Sequence, residues 1–260
     1  MKNIPTKTIV TLLYCGVFVA SAQTVFIDIG SDTTYRGVTA PSPDTNGNHW
    51  NSTAFGFIGN LVDSAGNATT IDWTPDGLGG VDSYNGIAGA TSNPLTTGEI
   101  AAAQTILDAG SIGDFAVAEA AMDFYVSSNT TTNVGRFQLQ QLTAGQAYDL
   151  TFYGATQYVG SQTTYSVFDD SAYSNLLGSV TLNHNDGVGN ANVDNVAVVA
   201  GLIGPSNANN IFYVQWEGVA VSTEGFINAM SITAVPEPSS FALLSGLMAL
   251  GWIAIRRRHS

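Results

Sequence analysis

Two kinds of residue cluster in this sequence could do chemistry, and the first is rich in oxygen. Asp186, Asn190, Asn192 and Asp194 crowd the stretch NDGVGNANVDN, and Asp44, Asn46 and Asn48 alternate in PDTNGNHWN. Asp28 and Asp32 stand at the end of an apolar run. Carboxylate and amide oxygens at this density suit calcium, which takes about 6–8 oxygen ligands. The loop at Asp44 follows the first half of an EF-hand, but His49 replaces its central glycine and Phe55 its closing acid. Asn, Asp and Gly also build tight turns without any ion. The leading candidate for a structural calcium is therefore the set Asp186, Asn190, Asn192 and Asp194.

The second kind pairs aromatic rings with amides. A pyranose lays its C–H face on an aromatic ring while neighbouring Asn and Asp oxygens take its hydroxyls. Trp50 beside Asn51, Trp73 beside Asp72, and Tyr84 and Tyr158 in glycine-flanked loops fit this chemistry. Trp50, Asn51, Trp73, Tyr84 and Tyr158 are thus the candidate sugar-binding residues. Trp216 alternates within a strand pattern and belongs to a core. Nucleophilic and zinc chemistry lack their motifs: there is no G-x-S-x-G, no H-E-x-x-H and no paired cysteine. His49 and His184 have no partner set by spacing and are expected on surface loops. Asp149, Asp169, Asp170, Glu217 and Glu224 leave carboxylate-pair hydrolysis of a polysaccharide as the alternative to a non-catalytic role.

The elements that must position these residues are mostly strands. GRFQLQQL, AYDLTFYGA and NIFYVQWEG alternate apolar and polar residues, the signature of half-buried strands. TVFIDIG, TAFGFIGNLVD, TTIDW, MDFYVSS, TTYSVFDD, LLGSVTLN, NVAVVA and GFINAMSITAV add further candidates, separated by turn clusters such as SAGNAT and LTAGQ. One helix is expected, opened by the capping box Thr96-Thr97-Gly98-Glu99 and stopped at Gly110. The pattern predicts an all-β fold, a β-sandwich of jelly-roll type with one short inserted helix.

Both ends differ from this middle. Residues 1–22 carry Lys2 and Lys7, then an uncharged apolar run, then the small-x-small triplet Ala20-Ser21-Ala22. That is the layout of a secretory signal peptide cleaved before Gln23. At the other end, residues 235–260 hold Pro236-Glu237-Pro238, an uncharged stretch at 239–255, and Arg256, Arg257 and Arg258. As a helix at ~1.5 Å per residue the stretch rises roughly 25 Å, nearly a ~30 Å hydrocarbon core. Trp252 and the arginines suit the interface, and the arginines favour the cytoplasmic side.

This three-part tail resembles the PEP-CTERM sorting signal. The resemblance implies recognition of Pro236, Glu237 and Pro238 by exosortase, a membrane protease, after export through the Sec machinery. Removal of the helix would then send the product to the cell surface or extracellular matrix, with exopolysaccharide as a candidate partner. The body, 23–234, loosely resembles galactose-binding-like, carbohydrate-binding sandwiches through stretches such as LTAGQAYDLTFYG.

Charge supports a place outside the cell. The chain carries a formal charge of −13, all acids except Glu237 lie in the middle, and only Arg36 and Arg136 oppose them there. Such a surface repels nucleic acid and anionic membranes, which excludes both as partners. The single cysteine, Cys15, lies in the export signal, so the mature body is expected to hold no disulfide.

Overall fold

The structure, a computed structural model, describes residues 22–30, 32–33, 36–54, 56–77, 87, 92–127, 134–185, 191–220 and 224–236. One compact unit spans Ala22–Val235. The second unit, 1–21 with 236–260, lies outside the described residues apart from Pro236. Ala20, Glu237, Pro238, the stretch 239–255 and Arg256, Arg257 and Arg258 fall there. Among the described residues no helix is long and apolar enough to cross a membrane.

Two five-stranded sheets make the body. The first contains β1 (Thr24–Ile29), β2 (Trp50–Thr53), β6 (Ala147–Tyr153), β9 (Ala197–Ile203) and β12 (Ala229–Ala234), in the order β2-β1-β12-β6-β9. The second contains β3 (Asp72–Pro75), β5 (Val134–Gln140), β7 (Ser161–Phe168), β8 (Leu176–Asn183) and β10 (Phe212–Ala220), in the order β3-β5-β10-β7-β8. Neighbours are antiparallel, except that β1 and β2 run parallel. A small ribbon pairs β4 (Tyr125–Val126) with β11 (Phe226–Ile227).

Alternation explains the core. Along β5 burial switches at every residue, with Phe137 and Leu139 inside and Gln138 and Gln140 half-exposed. Val25, Ile27, Leu150, Phe152, Tyr165, Val214 and Trp216 meet them between the sheets. The rings of Phe152 and Tyr165 stack 4.4 Å apart at 2°, joining the two layers. Each such side chain contributes on the order of 1.5–3 kcal/mol when fully buried.

A helical layer, more elaborate than the single helix expected, covers the outer face of the first sheet. It comprises α1 (Thr97–Gln104), α2 (Ala109–Ile112), a 3-10 turn at Gly113–Phe115, and α3 (Ala118–Met122). The capping box holds: Glu99 N donates to Thr96 Oγ1 at 3.2 Å, and Thr96 N donates to Glu99 Oε2 at 2.8 Å. The helix stops before Gly110. Thr105 turns its hydroxyl back onto Ala102 O at 2.7 Å, and Asp108 caps a new helix through Gly110 N at 2.9 Å. Phe26 and Trp50 from the outer sheet face pack against Ala103, Phe115, Ala118 and Met122. This second cover is why five of the six β1 residues are fully buried.

Three strand expectations change. GFINAMSITAV divides into β11 and β12, which join different sheets. The stretch 53–63 leaves the sheet after Thr53 and keeps only isolated bridges at Ile58 and Val62, because Gly56, Gly59 and a left-handed Asn60 (φ 52°) break the extended run. MDFYVSS shrinks to the two residues of β4.

Strand direction sorts the sandwich into two poles. β1 begins and β12 ends at one of them, where Ala234 N donates to Gln23 O at 2.9 Å and Val235 N to Ala147 O at 2.8 Å. The opposite pole gathers the ends of β1, β6 and β8 and the starts of β7, β9 and β12, and the helical layer borders it through Tyr153 and Ala229.

Candidate functional site

The aromatic candidates separate by burial. Trp50 is 4% exposed, its ring lies against Phe26 with centroids 5.0 Å apart, and its Nε1 donates to Asp44 Oδ2 at 2.9 Å. Asn51 spends its amide on the backbone, donating to Phe26 O and Val62 O and accepting from Val62 N. Trp73 is 0% exposed and stacks on Phe137 at 4.0 Å. These three residues therefore build the protein interior, because the strands that carry them turn them inward or under the helical layer. Tyr84 lies outside the described residues.

Tyr158 is placed differently. It sits in the β6–β7 connection at the loop pole and is 52% exposed. One ring face lies on Phe226, with centroids 5.8 Å apart and planes 25° from parallel. Phe226 is itself fixed edge-on by Phe124 and by His184. Asn185 donates its side-chain amide to Tyr158 O, and Thr156 Oγ1 accepts from Tyr158 N at 3.4 Å. The result is an aromatic ring backed by a rigid apolar cluster of Phe124, Val126 and Phe226, with its outer face toward solvent and amide groups alongside.

The oxygen-rich loops serve mainly as turns. Asp44 Oδ1 accepts from Asn46 N and Asn48 N at 2.8 and 2.9 Å, while its other oxygen holds Trp50. Asp63 repeats the device, with Oδ1 accepting from Ala65 N and Asn67 N at 3.0 and 2.8 Å. Both loops read D-x-x-G-N, and their glycines Gly47 and Gly66 adopt φ of +87° and +84°, which a side chain would strain. This twin motif is visible in the sequence but too short to stand out as a repeat. Asp186 and Asn190 lie outside the described residues. Asn192 is buried, with its amide on Gly154 O and Asn195 O and its carbonyl taken by Asp194 N and Asn195 N; Asp194 is exposed and accepts from Asn195 Nδ2. Among the described residues no three His, Cys, Asp or Glu side chains gather as a metal set.

The other acids are scattered. Asp169 and Asp170 tie the turn after β7 through Asn175 and Ser174. Asp149 accepts from Gly201 N on the first sheet. Glu217 lies on β10 and Glu224 beyond its end at the opposite pole from that turn. Among the described residues these acids sit on separate strands and turns.

Two buried titratable sites were not foreseen. His184, expected at the surface, is wholly buried, and burial pulls it down to about 4. Its Nε2 lies 2.6 Å from Thr163 Oγ1. Asp28 and Asp123 are also wholly buried, and burial raises both carboxyls, Asp28 to about 7. Alternation along β1 signals the position of Asp28 on the outer face, but nothing local reveals the helical layer that closes over it. Beside that layer, Pro41, Ile100, Gln104, Val117 and Glu119 line a cleft of about 240 Å³.

No known family matches this chain, and no curated protein is similar to it. Among solved structures it is similar to the CBM32 domain of AlyQ, determined in complex with 4,5-unsaturated mannuronic acid. That similarity covers 58% of this chain and 96% of that one, at 13% identity and a TM-score of 0.28.

Proposed function

We propose that this chain is an exported surface or matrix protein whose β-sandwich binds carbohydrate without cleaving it, on a platform formed by Tyr158. The observation that carries the reading is the Tyr158 ring, stacked on Phe226 yet 52% exposed at the loop pole. A ring held from behind loses little freedom when a sugar covers its front, so contact energy is not spent on ordering. The exposed Gln157 stands beside it as a hydrogen-bonding group, while Asn185 holds the loop through Tyr158 O and Gly160 N. Export by Sec and sorting by exosortase rest on the signal-like 1–22 and on Pro236-Glu237-Pro238 with its basic tail. Gln23 and Val235, the ends of the body, lie at the pole opposite Tyr158.

A polysaccharide pull-down with the purified chain tests this. The wild type should be retained on a neutral exopolysaccharide, and Tyr158→Ala should weaken binding on the order of tenfold with an unchanged melting temperature. Unchanged retention of Tyr158→Ala removes the platform. Release of reducing ends during the incubation replaces the binding reading by hydrolysis.

A further inference from the structure

Asp28 and Asp123 meet under the helical layer in an arrangement that the chain alone does not balance. Asp28 projects from the outer face of β1, directly across from Ser52 of β2. Asp123 ends α3 and comes down onto the same sheet. The two carboxylates grip one extended segment: Asp28 Oδ2 accepts from Ala40 N at 2.9 Å, and Asp123 Oδ2 accepts from Val38 N at 3.2 Å. Ser52 Oγ adds a third bond, donating to Asp28 Oδ2 at 2.7 Å. The other oxygen of each group, Asp28 Oδ1 and Asp123 Oδ1, is buried with no hydrogen-bond partner. Two wholly buried carboxyls, close enough that the charge of Asp28 raises Asp123, thus each keep one oxygen without a partner.

Gly30 lets the second carboxylate approach the first. A side chain at Gly30 would put its Cβ 2.0 Å from Asp123 Oδ2, so only glycine lets the carboxylate in. The charges that act on the pair are acidic: Asp28 feels Glu119, and Asp123 feels Asp28. Neither of the body's two basic side chains, Arg36 and Arg136, is among the charges that act on the pair, and Arg136 lies over the Tyr173 ring at 4.0 Å. Burying two carboxylates near each other without a counter-charge is destabilising. Hard oxygen donors of this kind select calcium or magnesium over softer metals.

We propose that Asp28 and Asp123 together hold one divalent cation, calcium in preference to magnesium, which pins the helical layer to the first sheet. The ion bridges β1 and the end of α3, and hydroxyl, carbonyl or water oxygens complete its shell. The site is distinct from the turn-forming acids at Asp44 and Asp63, whose oxygens are already engaged.

Thermal melting of the full chain in detergent, stripped with EDTA and then given calcium or magnesium at matched ionic strength, tests the assignment. Calcium should raise the melting temperature on the order of 5 °C at ~100-fold over its Kd, and magnesium should raise it less. Asp28→Asn and Asp123→Asn should each abolish the rise. An unmoved wild type overturns the proposal, as does a calcium response that survives in both variants. Hydrogen exchange on the wild type covers the case of variants that do not fold. Calcium should slow exchange at Val38, Ala40 and α3, and protection confined to any other loop overturns the assignment.

Discussion

His184 illustrates how much a single residue's surroundings can change its chemistry. The ring is enclosed by Phe226 and Thr163, and its Cε1 would lie 2.3 Å from a Cβ at Gly154. Desolvation lowers it from 6.5 to about 4, so it is neutral in the native state near neutral pH. Above pH 6.5 neither state binds the proton and the contribution is intact. Between 6.5 and 4 only the unfolded chain takes it up, and stability falls by up to roughly 3 kcal/mol. Denaturant melts of wild type and His184→Asn from pH 8 to pH 4 should diverge in slope across that window, and parallel curves would contradict it. The sequence could not place this residue, because histidine in a turn-rich stretch carries no sign of burial. The same holds for Trp50 and Trp73, whose neighbours His49, Asn51 and Asp72 suit a sugar site equally well whether the indole points in or out. Among the described aromatic candidates Tyr158 alone is exposed, because its connection carries it beyond the ends of β6 and β7 rather than into a face.

At the scale of elements, local signals were legible where the bonding is local. The capping box at Thr96 is made of residues three apart, and the alternation in β5, β6 and β10 needs only a pleat and one buried face. Thr96→Ala should cost about 1 kcal/mol and speed hydrogen exchange across Thr97–Gln104 before the sheets respond; exchange that stays slow there would show that tertiary packing alone holds α1. Helix α3 was not legible: it is five residues long, too short for a helical period, and Val117 offers no side-chain cap. β2 was missed in favour of 53–63 because its parallel partner β1 is distant in sequence, whereas the apolar residues after it are conspicuous. The helical layer follows from neither pattern. It is visible only in hindsight, in a β1 strand buried on both faces.

For the molecule as a whole, the poles organise the account. The ends of the body and the turns holding Asp169 and Asp170 occupy one pole; Tyr158, the helical layer and the Asp28–Asp123 pair occupy or border the other. The fold class was readable from composition and period, since few lysines, many turn residues and regular alternation leave little else to build. The polarity was not, because it depends on which strands pair, and β12 lies between β1 and β6 across most of the chain. The most direct test is hydrogen exchange of the full chain with and without bound exopolysaccharide. The account predicts slowed exchange confined to residues 154–160, Asn185 and Phe226. Protection at the pole of Gln23 and Val235 instead, with none around Tyr158, would contradict it.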